Sequence, residues 1–166
     1  MAKAVTRLPF DIICFTGSTV TGRLVAIEAA KNLVPCILEL GGKCPVIVDE
    51  TAVIATAVNR VIFGKFLNAG QTCIGVDHVY VHESLRETFK KQLLVKMEEF
   101  YGNGQKVEDE GNVSKIVNEF HLNRLEKLLQ DKHGGEIIYG GNIEKEKRFI
   151  YPTVIEAPRK DCMLMK

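Results

Sequence analysis

The stretch Ile12-Ile13-Cys14-Phe15-Thr16-Gly17-Ser18-Thr19-Val20-Thr21-Gly22 decides the fold. Its apolar head has the length of a buried strand, and it runs straight into a turn of small and hydroxylated residues. Leu24, Val25, Ile27, Ala29 and Ala30 follow in a segment of good helix propensity that must end before Pro35. Cys36-Ile37-Leu38-Glu39-Leu40 then reads as a second strand, broken by Gly41-Gly42, and Val46-Ile47-Val48 as a third. Strand, helix, strand with apolar strands is the rhythm of a parallel α/β unit.

Residues 52 to 67 read as a helix (Ile54, Val58, Val61, Ile62, Phe66) closed near Asn68-Ala69-Gly70. After Gln71-Thr72-Cys73 comes a strand at Val79-Tyr80-Val81. Ser84 with Glu87 is a capping-box signature for a helix to about Tyr101, with Leu85, Phe89, Leu93, Met97 and Phe100 on one stripe. The polar stretch from Gly102 to Gly111 is the expected internal hinge. Val113, Ile116, Val117, Phe120, Leu128 and Leu129 recur at helical spacing, and Gly134-Gly135 stops that helix before a strand at Glu136 to Tyr139. Phe149 to Ile155 is the last expected strand.

Composition fits a soluble globular chain that can bury a core: 166 residues, 46% apolar, 26% charged, net charge +1. With 22 Lys and Arg against 21 Asp and Glu, nothing favours nucleic acid or an anionic membrane as partner. Charge is uneven, with 7 basic and 6 acidic residues up to position 80 and 15 of each beyond it. Five cysteines without paired spacing fit a reducing compartment. Met1-Ala2-Lys3-Ala4 lacks the apolar run of a signal peptide and no membrane segment is apparent, so a cytoplasmic location is expected.

Three places carry candidate chemistry. Gly17-Ser18-Thr19-Val20-Thr21-Gly22, between strand and helix, would let backbone approach an anion at a helix N-terminus, or is a plain strand-to-helix turn. Glu39 is a carboxylate within an apolar strand; buried, it suits a general base, whereas on an alternating edge strand it faces water. Cys73 lies in a polar, Gly-containing loop where a thiol is accessible and can attack a carbonyl carbon, although most cysteines are inert. Cys14 and Cys36 read as small core residues, and Cys44 and Cys162 have no evident partner. His78 and His82 could share a strand face without further ligands at zinc spacing, so no metal site is expected; solvated roles suffice for His121 and His133.

Together these segments resemble the aldehyde dehydrogenase superfamily. Phe15-Thr16-Gly17-Ser18-Thr19 with Gly22 looks like its cofactor turn, Leu38-Glu39-Leu40-Gly41-Gly42-Lys43 like its general-base signature, and Gly70-Gln71-Thr72-Cys73 like its nucleophile signature. Cys73 follows Glu39 by 34 positions, the family's spacing. Phe149-Ile150-Tyr151-Pro152-Thr153 resembles the strand after the family's long helices. Pro35, Gly64-Lys65-Phe66-Leu67-Asn68 and Glu99-Phe100-Tyr101-Gly102 resemble the short-subunit (class 3) branch, which oxidises aromatic and medium- or long-chain aldehydes.

The resemblance implies an α/β fold in which residues 1–41, the end of a Rossmann-type NAD(P)-binding domain, join most of an α/β catalytic domain at 42–166. It implies Cys73 as nucleophile, Glu39 as general base, and Gly17, Ser18, Gly22, Leu40 and Gly41 as contacts to NAD or NADP. The aldehyde is the implied substrate, and a homodimer the implied full-length form. Gly75-Val76 stands where the branch usually has Ala-Pro, and Cys44 where it has Ser. The family's oxyanion-hole Asn and its ribose-binding segments correspond to nothing in these 166 residues. The chain alone is therefore expected to turn over barely or not at all, with apolar strand edges prone to pairing with other chains. Two alternatives stand beside oxidation: a cofactor-independent thiol esterase, and a non-catalytic binding or assembly module.

Overall fold

The computed structural model describes residues 2–102 and 113–166. The hinge expected between Gly102 and Gly111 lies, but for Gly102, outside the described residues. The fold is α/β and divides into two compact units, Met1–Gly42 and Lys43–Lys166.

In the first unit a short helix α1 (Ala2–Val5) precedes β1 (Ile13–Gly17), α2 (Thr19–Ala30) and β2 (Cys36–Leu40). β1 and β2 pair in parallel, from Ile13 opposite Cys36 to Gly17 opposite Leu40, with the helix as crossover. Ser18 starts α2 by accepting the Thr21 N–H on Oγ at 3.2 Å. The helix buries Gly22, Val25 and Ala29, one stripe at helical spacing. A Cβ on Gly22 would lie 2.7 Å from a Leu40 methyl, so this glycine lets α2 settle onto β2. The opposite helix face leaves Val20, Leu24 and Ile27 exposed.

Cys14 is exposed and Cys36 half-buried, which corrects their reading as core residues. Alternation along β1 turns Cys14 to the face opposite Ile13 and Phe15, and that face is exposed.

Glu28 joins the helix to the segment before β1, pairing with Arg7 Nε at 2.8 Å and Lys31 Nζ at 2.9 Å. The Arg7 hydrogen bond first, then that of Lys31, pulls its carboxyl from the ordinary 4.5 down to about 2. A carboxyl with a depressed folded value contributes stability that is present above its ordinary range and lost as pH falls through the folded value. Wild-type stability is therefore expected to decline between pH 4.5 and about 2 more steeply than that of Glu28→Gln. Denaturation midpoints across that window check this, and parallel curves for the two proteins contradict it.

The second unit repeats the strand–helix–strand pattern. β3 (Pro45–Val48) and β4 (His78–Val81) pair in parallel around α3 (Ile54–Phe66). α4 (Arg86–Tyr101) packs on α3, and α5 (Glu119–Gln130) leads to β5 (Glu136–Tyr139), β6 (Ile143–Glu144), β7 (Phe149–Ile150) and β8 (Val154–Glu156). β5 pairs antiparallel with β8, and β6 with β7. The core gathers Val48, Val58, Val61, Ile62, Phe89, Leu93, Met97, Tyr101, Val113 and Phe149. Tyr139 donates its hydroxyl to the Met97 carbonyl at 3.1 Å, and Lys90 and Arg86 pair with Glu156, tying α4 to the last strands. Among the described residues no helix is long and apolar enough to cross a membrane.

Several expectations are corrected in this unit. The α4 stripe is Phe89, Leu93, Met97 and Tyr101; Phe100 is 45% exposed because it falls outside the four-residue repeat. Ser84 does not cap α4: the His82 ring accepts the Ser84 N–H and contacts its hydroxyl, so a 3-10 turn, Glu83–Leu85, precedes the helix. The helix expected from Val113 begins only at Glu119, where Asn118 Oδ1 accepts the His121 N–H. Val113 and Ile116 are buried nonetheless, from an irregular stretch. The single strand expected at 149–155 is two, parted at Pro152, which has no N–H to donate to a ladder. His133 is buried: its Nδ1 accepts the Gly135 N–H at 3.1 Å, closing the turn after α5.

Candidate functional site

Cys73 sits in the connection between α3 and β4, and the backbone before it is unusual. Asn68, Ala69 and Gly70 adopt φ of 54, 56 and 73°, three successive left-handed residues of which one is glycine. Such a conformation at Asn68 and Ala69 costs free energy and persists only where the surroundings hold it. The Gln71 side chain does so. Its Nε2 donates to the Asn68 carbonyl at 3.0 Å and the Lys115 carbonyl at 3.1 Å, while its Oε1 accepts the Val117 N–H at 2.9 Å. The amide thus acts as a one-residue strand against 115–117. The other side of that segment is held by the hydrogen bonds of Ile116 N–H to the Arg148 carbonyl and of the Arg148 guanidinium to the Val117 carbonyl. This is why 113–118 is not helical.

Beyond Gln71 the chain turns tightly. The Gly75 N–H donates to the Thr72 carbonyl at 3.0 Å and the Val76 N–H to the Gly64 carbonyl at 3.2 Å, which leaves Cys73 exposed at the turn. Cys44, just before β3, donates its thiol to the Cys73 carbonyl at 3.2 Å, and its own carbonyl accepts the Asp77 N–H. Sequence alone offered Cys44 no partner; here it has the nucleophile candidate's own backbone.

Charges collect on the same side of the unit. Lys43 Nζ lies 2.7 Å from both Asp77 Oδ2 and the Leu164 carbonyl, and His78 Nδ1 is 3.0 Å from the same carboxylate. Burial alone would raise the Asp77 carboxyl, but the hydrogen bonds of Lys43 and His78 outweigh it and hold the carboxyl below its ordinary value. The Lys65 ammonium lies under Gly70, 3.8 Å from where a Cβ would stand; burial pushes its pKa down, partly opposed by Asp77 and reinforced by Lys43. Gln71, Cys44 and the Lys43–Asp77–Lys65 group were not singled out as working residues by sequence reasoning, since their partners lie far along the chain.

Gln71→Glu is expected to destabilise the second unit by about 2–3 kcal/mol, because the carboxylate cannot donate to two carbonyl oxygens and meets them with charge. Urea midpoints of wild type, Gln71→Glu and Gln71→Ala check this; an unchanged Gln71→Glu midpoint contradicts the bracing role.

The remaining candidates belong to the first unit. Ser18 stands at the head of α2, whose first backbone bond runs from Gly22 N–H to the Ser18 carbonyl, so the N–H groups of Thr19 and Val20 precede the helical ladder. Gly17 and Leu40 are opposite each other in the sheet, and Leu40 packs on Gly22. A Cβ on Gly17 would meet the Phe15 ring, whereas Gly41 and Gly42 have nothing within 4 Å of theirs. A dinucleotide phosphate fits this end of the unit at the open turn of α2, and close backbone approach fits at Gly41-Gly42; Gly22 is occupied with packing. Glu39 is exposed, alternating with half-buried Leu38 and Leu40, so the burial expected for a general base is absent within this unit. The groove between α3 and α4, lined by Ala55, Glu87, Lys91 and Val95 among others, contains none of these residues.

The family model described as the aldehyde dehydrogenase family matches residues 2–166. Among curated relatives, 4,4'-diaponeurosporen-aldehyde dehydrogenase of Staphylococcus aureus is 42% identical over 99% of this chain and 35% of its own length. Aldehyde dehydrogenase family 3 member F1 of Arabidopsis thaliana is 38% identical over 99% of this chain and 35% of its own. Among solved structures, the substrate-bound state of Staphylococcus aureus AldH superposes with a TM-score of 0.91 at 41% identity, covering 99% of this chain and 35% of that one. The chain spans about a third of the length of the curated relatives it matches.

Proposed function

The chain belongs to the aldehyde dehydrogenase family, and from that membership we propose that it carries the nucleophile and general base of an NAD- or NADP-dependent oxidation of an aldehyde to the carboxylic acid. The observation that carries this reading is Cys73: an exposed thiol at a tight turn, behind a left-handed backbone braced by Gln71. Cys73 attacks the aldehyde carbon to give a thiohemiacetal, and its sulfur later holds the acyl group as a thioester. The dinucleotide, when bound, supplies the hydride acceptor between those two states. Glu39 then takes a proton from the water that releases the carboxylate.

In this reading residues 1–41 end the NAD(P)-binding domain and 42–166 form part of the catalytic domain. Ser18 and the open turn of α2 would hold the cofactor phosphate, with Gly17 and Gly22 shaping that turn. Leu40 and Gly41, beside the base, would line the nicotinamide end. The relatives named for an aldehyde and for family 3 support the short-subunit branch, with an aromatic or medium- or long-chain aldehyde as substrate. The homodimer is carried into this reading by the family resemblance alone.

A cofactor-independent thiol esterase draws on the same exposed Cys73, since acylation by an activated ester needs the thiol alone. A steady-state assay with a long-chain or aromatic aldehyde separates the two. Aldehyde-dependent reduction of NAD or NADP supports oxidation. Because the chain alone is expected to turn over barely, slow reduction lost in Cys73→Ala suffices for oxidation, as does slowing of ester turnover by added aldehyde that occupies Cys73. Ester turnover indifferent to both aldehyde and dinucleotide overturns it in favour of the esterase.

A further inference from the structure

We propose that Cys44 and Cys73 form a disulfide when the chain meets a peroxide, making Cys44 a resolving thiol that stops oxidation of Cys73 at a reducible stage. Of the five cysteines, Cys14 and Cys36 belong to the first unit and Cys162 is buried beside the C-terminal turn. Cys44 alone among the described cysteines hydrogen-bonds to an atom of Cys73, its Sγ lying 3.2 Å from the Cys73 carbonyl oxygen. Since a carbonyl oxygen is about 2.4 Å from its own Cα, Sγ of Cys44 is within about 6 Å of the Cys73 Cα. That is within reach of side-chain rotation and a small adjustment of the 72–75 turn, whose outer side is exposed.

The burial of the two thiols orders the steps. Exposed Cys73 meets the oxidant first, while half-buried Cys44 waits behind it. The Cys73 thiolate gives two electrons to the peroxide O–O bond, forming a sulfenic acid and releasing hydroxide. The Cys44 sulfur then attacks the sulfenic sulfur, the S–O bond breaks, and its oxygen leaves as water with the Cys44 proton. A dithiol reductant returns both thiols. The cross-link is independent of turnover; only its consequence, reversible loss of the nucleophile, rests on the proposed function.

Trypsin places the two residues on separate peptides, 44–60 and 66–86, so the link is read directly. The chain is treated with hydrogen peroxide, its remaining thiols are blocked by alkylation, and the digest is mapped without reduction beside Cys44→Ser, which keeps a hydrogen-bond donor at position 44. Wild type is expected to yield peptides 44–60 and 66–86 joined within one chain and lighter by two hydrogens, with Cys73 recovered by dithiothreitol. In Cys44→Ser, Cys73 is expected to pass to sulfinic acid, which dithiothreitol does not reverse. Cys73 sulfinate forming in wild type as fast as in Cys44→Ser, with no joined peptide, overturns the proposal, and so does a link found only between chains. Failure of aldehyde oxidation would leave this readout unaltered, so the two readings fail separately.

Discussion

Cys73→Ala is expected to lower acylation by an activated ester by at least about three orders of magnitude, and to abolish whatever slow aldehyde-dependent reduction of NAD or NADP the chain alone supports, while leaving the fold intact. Cys73 is exposed, so the lost sulfur opens no cavity, and its carbonyl still accepts the Cys44 thiol. The turn is held by Thr72, Gly75, Val76 and Gly64 through backbone groups that the substitution leaves unchanged. Circular dichroism should therefore match wild type while the rates collapse. A variant that retains a tenth or more of the wild-type rate would assign the chemistry to another group.

Gly140→Ala is expected to have the largest effect on stability, about 3–5 kcal/mol, with a thermal midpoint lower by roughly 10 °C. Gly140 leaves β5 with φ +71°, and a Cβ there would run into the Pro152 carbonyl oxygen where the chain returns toward β8. Neighbouring Gly141 donates its N–H to Thr153 Oγ1 at 3.0 Å, so the two passes of chain are already fastened. Alanine must find both a left-handed backbone and room that the carbonyl occupies. Gly41→Ala, with nothing within 4 Å of the added methyl, is the matched control and should leave the midpoint within a degree or two. Equal midpoints for the two variants would contradict the account of the β5–β8 crossing.

The parts legible in the sequence were those specified locally. Apolar runs bounded by Gly17, Pro35 and Gly41-Gly42 mark β1, α2 and β2 because strand ends need turn chemistry and a helix cannot run on into proline. The stripe Phe89, Leu93, Met97 was readable from spacing alone. What escaped depends on distant partners. Val113, Ile116 and Val117 carry helical spacing, yet Gln71 and Arg148 take the backbone groups of 115–117 that a helix would need. Gln71 is 44 residues from Lys115, and no local pattern announces that pairing.

The orientation of Glu39 escaped for a related reason. Alternation fixes that Glu39 and Leu38 face opposite ways, but which face of β2 is covered depends on what packs there. Within the first unit the covered face is that of Leu38 and Leu40, with Leu40 against Gly22. Cys73, in contrast, was placed correctly as an accessible thiol because its glycine-flanked polar loop is itself the local signal. The contact of Cys44 with Cys73 needed the parallel pairing of β3 with β4, which brings positions 44 and 77 together at the head of the ladder.

The most direct test of Cys73 as nucleophile is a peptide mass map after brief exposure of the chain to a p-nitrophenyl alkanoate. One acyl group per chain is expected, on peptide 66–86 at Cys73, released by hydroxylamine as a thioester must be and absent from Cys73→Ala. Acyl groups on lysines or other cysteines, with Cys73 unmodified yet still open to alkylation, would contradict it.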